Sequence, residues 1–252
     1  MNNSFAKLAA VFAVIVIAGA IGFNQFIGAD AKGFTKEEVQ EIVKEYINDN
    51  PEVIVNAFQK YRTEQQAEQQ KEQREQFLAN KEKVLSSDVS PTVGSDADDA
   101  LVVVEFFDYN CGYCKRAIGA VKKVIEENED VRFVFKEFPI LSDSSRVAAR
   151  YALAAAEQGK YLEYHNALMN AKGGKSEEKL LSIAEDLGLD TEKLKKDAGS
   201  SKIEKEISDN RALAQSLGIS GTPAFIIGDE MQPGYIPYER MQEIIEQEKD
   251  KS

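Results

Sequence analysis

The residues best equipped for chemistry are the chain's two cysteines, Cys111 and Cys114, separated by Gly112 and Tyr113. At this spacing both thiols fall within one helical turn, close enough to form a short-range disulfide or to share a metal ion. The residues ahead of them, LVVVEFFDYN, are β-branched and aromatic up to Phe107, so an apolar strand delivers the pair to the start of a helix. Asn110 is a good N-cap, which sets Cys111 at the helix N-terminus. Unpaired backbone N–H groups and the helix dipole stabilise a thiolate there, and the thiolate is the attacking species. Gly112 keeps the approach to Cys111 open. Cys114, one turn further in, is placed to attack a mixed disulfide and release the substrate. Cys111 is therefore read as the nucleophile and Cys114 as the resolving thiol.

The pair has two other conceivable uses. A bridge closing so small a loop removes little entropy from the unfolded chain, so a purely stabilising disulfide has little to recommend it. A structural zinc takes four ligands, whereas the chain offers two cysteines and one histidine, His165, far away in sequence. No metal site is assigned, although soft thiolates select Cu(I) and a two-thiolate Cu(I) site stays open.

Stepping outward, residues 101–107 are too continuously apolar to be half exposed and read as a central strand covered on both faces. Glu105 interrupts that strand. A carboxyl buried there has a raised pKa unless paired, and is poised to exchange a proton near the cysteines. The alternative is a satisfied acid paired with Lys136 or Lys115. Ile118, Val121, Val124 and Ile125 extend the active-site helix, and VRFVF at 131–135 gives the next strand. Such strand–helix–strand units have a right-handed crossover and place the loop after the first strand at the sheet's carboxyl edge, where Cys111 falls.

Residues 142–218 read as helical throughout, punctuated by Gly159, Gly173, Gly174, Gly188, Gly199 and Gly218. His165 lies in this block among aromatic and apolar residues and reads as a core or boundary histidine. Residues 224–227 form a third strand, 228–234 a turn, Tyr235 and Ile236 an edge strand, and Pro237 opens a closing helix with Met241, Ile244 and Ile245 inward. Four strands complete the expected sheet, and residues 86–100 are expected to be loop.

The segment VVVEFFDYNCGYCKR resembles the active-site strand and helix of the DsbA-like, thioredoxin-fold family of bacterial envelope thiol–disulfide oxidoreductases. The Gly-Tyr between the cysteines resembles isomerase members more than the strong oxidases, whose motif usually carries Pro-His. Residues 221–225, GTPAF, look like the family's cis-proline loop. The resemblance, which covers roughly residue 91 onward, implies an α/β thioredoxin fold: a central mixed four-stranded sheet with a helical insertion at about 142–218. It implies further that Thr222 contacts the Cys111 sulfur, that Gly112, Tyr113, Thr222 and Pro223 meet the substrate, and that Glu105 handles the resolving thiol's proton. No cofactor is implied.

A formal net charge of -12 argues against nucleic acid as a partner, since phosphate binding needs clustered Lys and Arg. Residues 1–31 read as an export signal, with Lys7 ahead of an apolar run and Ala29-Asp30-Ala31 as cleavage site, or alternatively as an uncleaved anchor. Either way the cysteines work in an oxidising compartment, the periplasm or cell envelope. Residues 32–90 form an α-helical N-terminal segment, a stalk ahead of the catalytic domain at 91–252. Thr35 to Glu38 has capping-box form, and Val39, Ile42, Val43, Tyr46 and Ile47 make one small apolar face. Val53, Ile54, Ala57, Phe58 and Tyr61 make another, beyond Pro51. Residues 63–76 are a Gln- and charge-rich spacer, either a passive tether or part of a homo-oligomerisation element.

These features together describe an exported thiol–disulfide oxidoreductase, an isomerase or reductase acting on cysteine-containing client proteins. With no third cysteine, a membrane thiol–disulfide partner must reset the pair. A dithiol oxidase of the same fold and a Cu(I)-binding envelope protein are the rivals.

Overall fold

The computed structural model describes residues 34–85 and 90–251. The expected leader or anchor at 1–31 lies outside them. Among the described residues no helix is long and apolar enough to cross a membrane. The chain divides into two compact units, Met1–Gln66 and Ala67–Ser252.

The first unit contains α1 (Lys36–Asp49) and the opening turns of α2 (Glu52–Leu85). The capping box at Thr35 is formed: its hydroxyl accepts from Glu38 N, and Glu38 Oε2 accepts from Thr35 N at 2.8 Å. No residue of α1 is buried. Val39, Ile42, Val43, Tyr46, Ile54, Phe58 and Tyr61 all stay exposed, so both small apolar faces are present and uncovered in the single chain.

The second unit is built on a five-stranded mixed sheet in the order β1-β3-β2-β4-β5, formed by β1 (Thr92–Gly94), β2 (Leu101–Phe107), β3 (Val131–Glu137), β4 (Ala224–Ile227) and β5 (Glu230–Pro233). β2 and β3 are parallel, joined through α3 (Gly112–Glu127), and the other pairings are antiparallel. The helical block resolves into α4 (Asp143–Ala156), α5 (Tyr161–Asn170), α6 (Glu177–Asp186), α7 (Thr191–Ala198) and α8 (Ser201–Ser216), and α9 (Tyr238–Lys249) closes the chain.

Two details of the sheet differ from the sequence reading. A fifth strand, β1, pairs with the outer edge of β3 from within the stretch expected to be loop. Three residues cannot display a period, and their composition is that of a turn. Gly94 has φ 101°, and a Cβ there would lie 2.3 Å from the Val131 carbonyl oxygen, so this glycine permits the close pairing. The edge strand on the other side is β5, not Tyr235 and Ile236: only Gly228 and Asp229 separate Ile227 from its partner Glu230. Gly228, at φ 56°, takes the first position of a two-residue hairpin, where glycine is favoured. The strand that follows, EMQP, is polar because it lies on the edge, and Pro233 is tolerated there for the same reason.

Side chains alternate cleanly across the sheet. Val103, Phe107, Phe133, Phe135, Phe225 and Ile227 join one core with Cys114, Ala117, Val121 and Val124 of α3, Ile244 and Ile245 of α9, and residues of α4 to α8. Val104, Phe106, Val134, Ala224 and Ile226 face the other way and pack with Ala214, Leu217 and Ile219 and with Phe77 and Val84 of α2. Both faces of β2 are therefore covered, which explains its unbroken apolar run. The far end of the charge-rich helix is part of this second core: Phe77 and Val84, two turns apart on one face, are buried, while Leu78 is exposed.

Phe77→Ala should lower the unfolding free energy by about 3 to 5 kcal/mol. Leu78→Ala should change it by no more than about 0.5 kcal/mol, the range of ordinary surface changes. Urea denaturation of the two variants checks the assignment.

Candidate active site

β2 ends at Phe107, and three residues carry the chain to Cys111. The Asp108 carboxylate accepts from Asn110 N at 2.7 Å, Ser145 Oγ at 2.7 Å, and Ile140 N and Leu141 N at 2.9 Å each. This ties the end of β2 to the loop after β3 and to the start of α4. Asn110 is not the N-cap of α3. Its side-chain nitrogen lies 2.9 Å from each of the hydroxyls of Ser142, Ser144 and Ser145. Cys111 itself is the cap, with extended backbone and its Sγ accepting from Cys114 N at 3.3 Å. Asn110 is diverted because a cluster of hydroxyls competes for its amide. The thiol consequently takes the place of a capping oxygen, and its sulfur sits on the helix's free N–H groups.

The Thr222–Pro223 peptide bond is cis. The Thr222 carbonyl faces Cys111, whose thiol donates to it at 3.2 Å. The contact expected between Thr222 and the sulfur is thus made by the backbone, and Thr222 Oγ1 is buried with no hydrogen-bond partner among the described residues. Gly112 and Tyr113 open α3; a Cβ at Gly112 would meet nothing within 4 Å, and Tyr113 is 62% exposed.

Behind the cap the site is dry. Cys111 is 6% and Cys114 1% exposed, and both thiols are free. Glu105 shares the face of β2 that carries Val103 and Phe107, and its cross-strand neighbours are Phe135 and Phe225. Burial without a compensating charge pushes its carboxyl from 4.5 to about 8. Burial also pushes the Cys114 thiol well up, and the charge of Glu105 adds to the rise. The pairing with Lys136 is excluded by register: Lys136 lies beside Phe106 and two residues beyond Val134, on the opposite face, where its Nζ donates to Ser90 Oγ at 3.0 Å. No ion pair joins Glu105 to Lys115 among the described residues.

The cysteines, Glu105 and the Thr222–Pro223 loop are thereby brought to one place. His165 is a core histidine, as expected, stacked on Tyr161 with Phe107 edge-on and Phe135 tilted against it. Among the described residues no three His, Cys, Asp or Glu side chains are grouped as a metal site. Asp108 and Tyr109 were missed in the sequence. Asp108 had one available signal, since an Asp just past a strand and before Asn commonly turns its carboxylate onto nearby backbone N–H groups.

A model described as the DSBA-like thioredoxin domain matches residues 102–246, and one described as the copper resistance protein ScsC N-terminal domain matches 36–68. A thioredoxin-like oxidoreductase from Silicibacter pomeroyi DSS-3 is 39% identical, with 68% of this chain and 98% of that one covered at a TM-score of 0.64. BcfH from Salmonella enterica Typhimurium is 32% identical over 84% of this chain and 95% of its own, with a TM-score of 0.72. A periplasmic thioredoxin-like protein from Salmonella enterica serovar Typhimurium is 30% identical over 66% and 93%, with a TM-score of 0.58. Curated relatives include a Na(+)/H(+) antiporter NhaA 3 of Salinispora tropica, 31% identical over 140 residues; the match takes in 55% of this chain but only 21% of that protein's length. The chain thus spans about a fifth of the length of the curated relatives it matches. With the family model covering more than half of its 252 residues, and Cys111 and Cys114 standing at the start of α3 opposite a cis-proline loop, the chain belongs to the DSBA-like thioredoxin domain family.

Proposed function

We propose that this protein is an exported thiol–disulfide oxidoreductase that works as a disulfide isomerase or reductase on cysteine-containing proteins of the cell envelope. The observation that carries the reading is the placement of the Cys111 sulfur. It caps α3, lies 3.2 Å from the Thr222 carbonyl, and has the buried Cys114 and Glu105 behind it. Cys111 thiolate attacks a client disulfide, and one client sulfur leaves as thiolate. Cys114 then attacks the Cys111 sulfur of the mixed disulfide, which frees the second client sulfur and leaves Cys111 and Cys114 bridged. Gly112 and Tyr113 on one side, and Thr222 and Pro223 on the other, flank the client. Glu105 takes the proton from Cys114 as that thiol attacks. Net reduction leaves the pair oxidised, so a membrane thiol–disulfide partner resets it, whereas isomerisation returns Cys111 as thiolate.

A periplasmic location is supported by the export-like residues 1–31 and by the periplasmic Salmonella relative. Self-association through residues 32–66 is supported by the match to the ScsC N-terminal domain and by the uncovered apolar faces of α1 and the start of α2. The domain division proposed is a leader at 1–31, a helical stalk after it, and the catalytic unit. A second reading, Cu(I) held by the two thiolates, is favoured by the copper resistance description of that same N-terminal match. Insulin reduction and refolding of a scrambled substrate, each with and without copper, separate the two: copper should leave the isomerase inhibited, not activated.

Cys111→Ser should abolish exchange, and Cys114→Ser should accumulate mixed disulfides with clients, visible on non-reducing gels. Complexes accumulating in Cys111→Ser instead would reverse the two roles. Only ionised Glu105 can accept the Cys114 proton, and its carboxyl ionises at about 8. Resolution of a preformed mixed disulfide should therefore quicken as pH rises through that value and level off above it. Glu105→Gln should slow resolution and flatten the profile while sparing the attack by Cys111, as quenched-flow measurement on either side of that pH would read. Removal of the chain up to Gln66 should give a folded monomer by light scattering that keeps simple dithiol exchange and loses most isomerase activity. Truncation is set there because residues from Ala67 onward belong to the second unit.

A further inference from the structure

Beneath the active-site segment lies a buried polar group that the exchange chemistry above does not use. Tyr109, two residues ahead of Cys111, turns its ring edge-on to Phe107 at 5.3 Å and is fully buried. Its hydroxyl donates to Glu137 Oε1 at 2.9 Å and lies 3.1 Å from His165 Nδ1. Tyr161, from α5, donates to the same Glu137 oxygen at 3.1 Å. The phenol of Tyr109 has one hydrogen and Glu137 receives it, so Nδ1 of His165 must be the donor of the remaining bond. His165 Nε2 and Glu137 Oε2 are buried with no partner among the described residues.

Hydrogen-bond accounting keeps His165 neutral. A cationic His165 would bury a second N–H without an acceptor, which is costly in a buried core. Burial acts in the same direction on His165, holding it down at about 3; it also pushes Glu137 well up, against the lowering effect of the hydrogen bonds from Tyr109 and Tyr161. The bonds to Tyr109 are therefore fixed and directional. They tie the active-site segment to the end of β3 and to α5. Cys111 N donates to the Asp108 carbonyl at 3.0 Å, so a displacement of the 108–109 backbone passes directly to Cys111. Its sulfur has contacts to satisfy on two sides, with Cys114 N and the Thr222 carbonyl.

We propose that Tyr109 is a positioning residue for the exchange reaction: gripped by Glu137 and His165, its hydroxyl holds the segment that keeps the Cys111 sulfur between the Cys114 N–H and the Thr222 carbonyl. This rests on the reading of Cys111 as the attacking thiol. Tyr109→Phe keeps the ring packing and removes the grip. Tyr161→Phe removes the same kind of bond from the same carboxylate, but from a helix that does not carry Cys111.

The test compares the two variants in the full-length protein by three measurements: the rate at which Cys111 attacks a disulfide-containing peptide, the equilibrium constant with glutathione, and the unfolding midpoint. Tyr109→Phe should slow the attack and shift the glutathione constant by about tenfold each, the effect of losing one buried hydrogen-bond anchor. Tyr161→Phe should lower the midpoint and leave both within about twofold. Equal slowing in the two variants, or a Tyr109→Phe protein within twofold of the unaltered one, would overturn the proposal. Should Tyr109→Phe not fold, His165→Phe, which keeps the ring stack and removes the other partner of the hydroxyl, is read against the same thresholds. An unaltered protein inert towards both peptide and glutathione would instead remove the thiol–disulfide reading, and this proposal with it.

Discussion

The constraint on which the catalytic unit depends is the fixing of the chain between Phe107 and Cys111. β2 and β3 are parallel neighbours, so their carboxyl ends reach the same sheet edge, and the chain leaving each must be kept from wandering. A single buried carboxylate does this. Asp108 takes donors from its own segment, from the loop after β3 and from the first turn of α4, so its buried oxygens are hydrogen-bonded away from water. With that junction held, the first free N–H groups of α3 meet a sulfur instead of an oxygen. The opposing Thr222–Pro223 loop then has a fixed target.

The face of the sheet under α3 carries two buried carboxyls with contrasting surroundings. Glu137, at the end of β3, accepts from two tyrosine hydroxyls on one oxygen. Glu105, in the centre of β2, has phenylalanines on both flanking strands. Nothing in the packing rewards an acid at that position, and any apolar residue of its size would bury better. Carboxyls whose environments differ this much suit different roles: the one gripped by tyrosine hydroxyls ties elements together, and the one set among phenylalanines is the proton acceptor of the proposed reaction. In the proposed reaction, the charge of Glu105 acting on the Cys114 thiol gives a use to what is otherwise a flaw in the strand.

Much of this was legible in the sequence because it rests on local pattern. The strand–Cys-x-x-Cys–helix order, the glycines that end α4, α6, α7 and α8, and the apolar stripe of α9 all reflect interactions within a few residues of one another. The same holds for the capping box of Thr35. The cis bond at Pro223 was legible only through family resemblance, as spacing says nothing about isomer. What escaped depends on partners distant in the chain. β1 is too short to have a period and exists because β3 offers it an edge. β5 is polar because only one neighbour covers it. The capping role passed from Asn110 to Cys111 because three serines more than thirty positions later claim the amide. His165 reads as a core residue from its neighbours, but its bond to Tyr109 crosses 56 positions, and no local pattern announces it.

The long α2 helix shows the same division on a larger scale. Its middle is polar on all sides, so its helicity comes from propensity and from i,i+4 pairs such as Lys60 with Glu64 and Lys71 with Glu75, each exposed and individually weak. Packing decides matters only at the two ends. Near Phe58 and Tyr61 the apolar surface is left uncovered, whereas Phe77 and Val84 are buried against Phe106 and its neighbours on the sheet face away from the cysteines. A sequence scan sees one charge-rich run and assigns it one character. Two apolar residues seven apart are a weak signal, yet they join Ala214, Leu217 and Ile219 in covering that face of the sheet. The end of this helix therefore belongs energetically with the sheet that positions Cys111, while its opening turns retain apolar surface that a single chain leaves unburied.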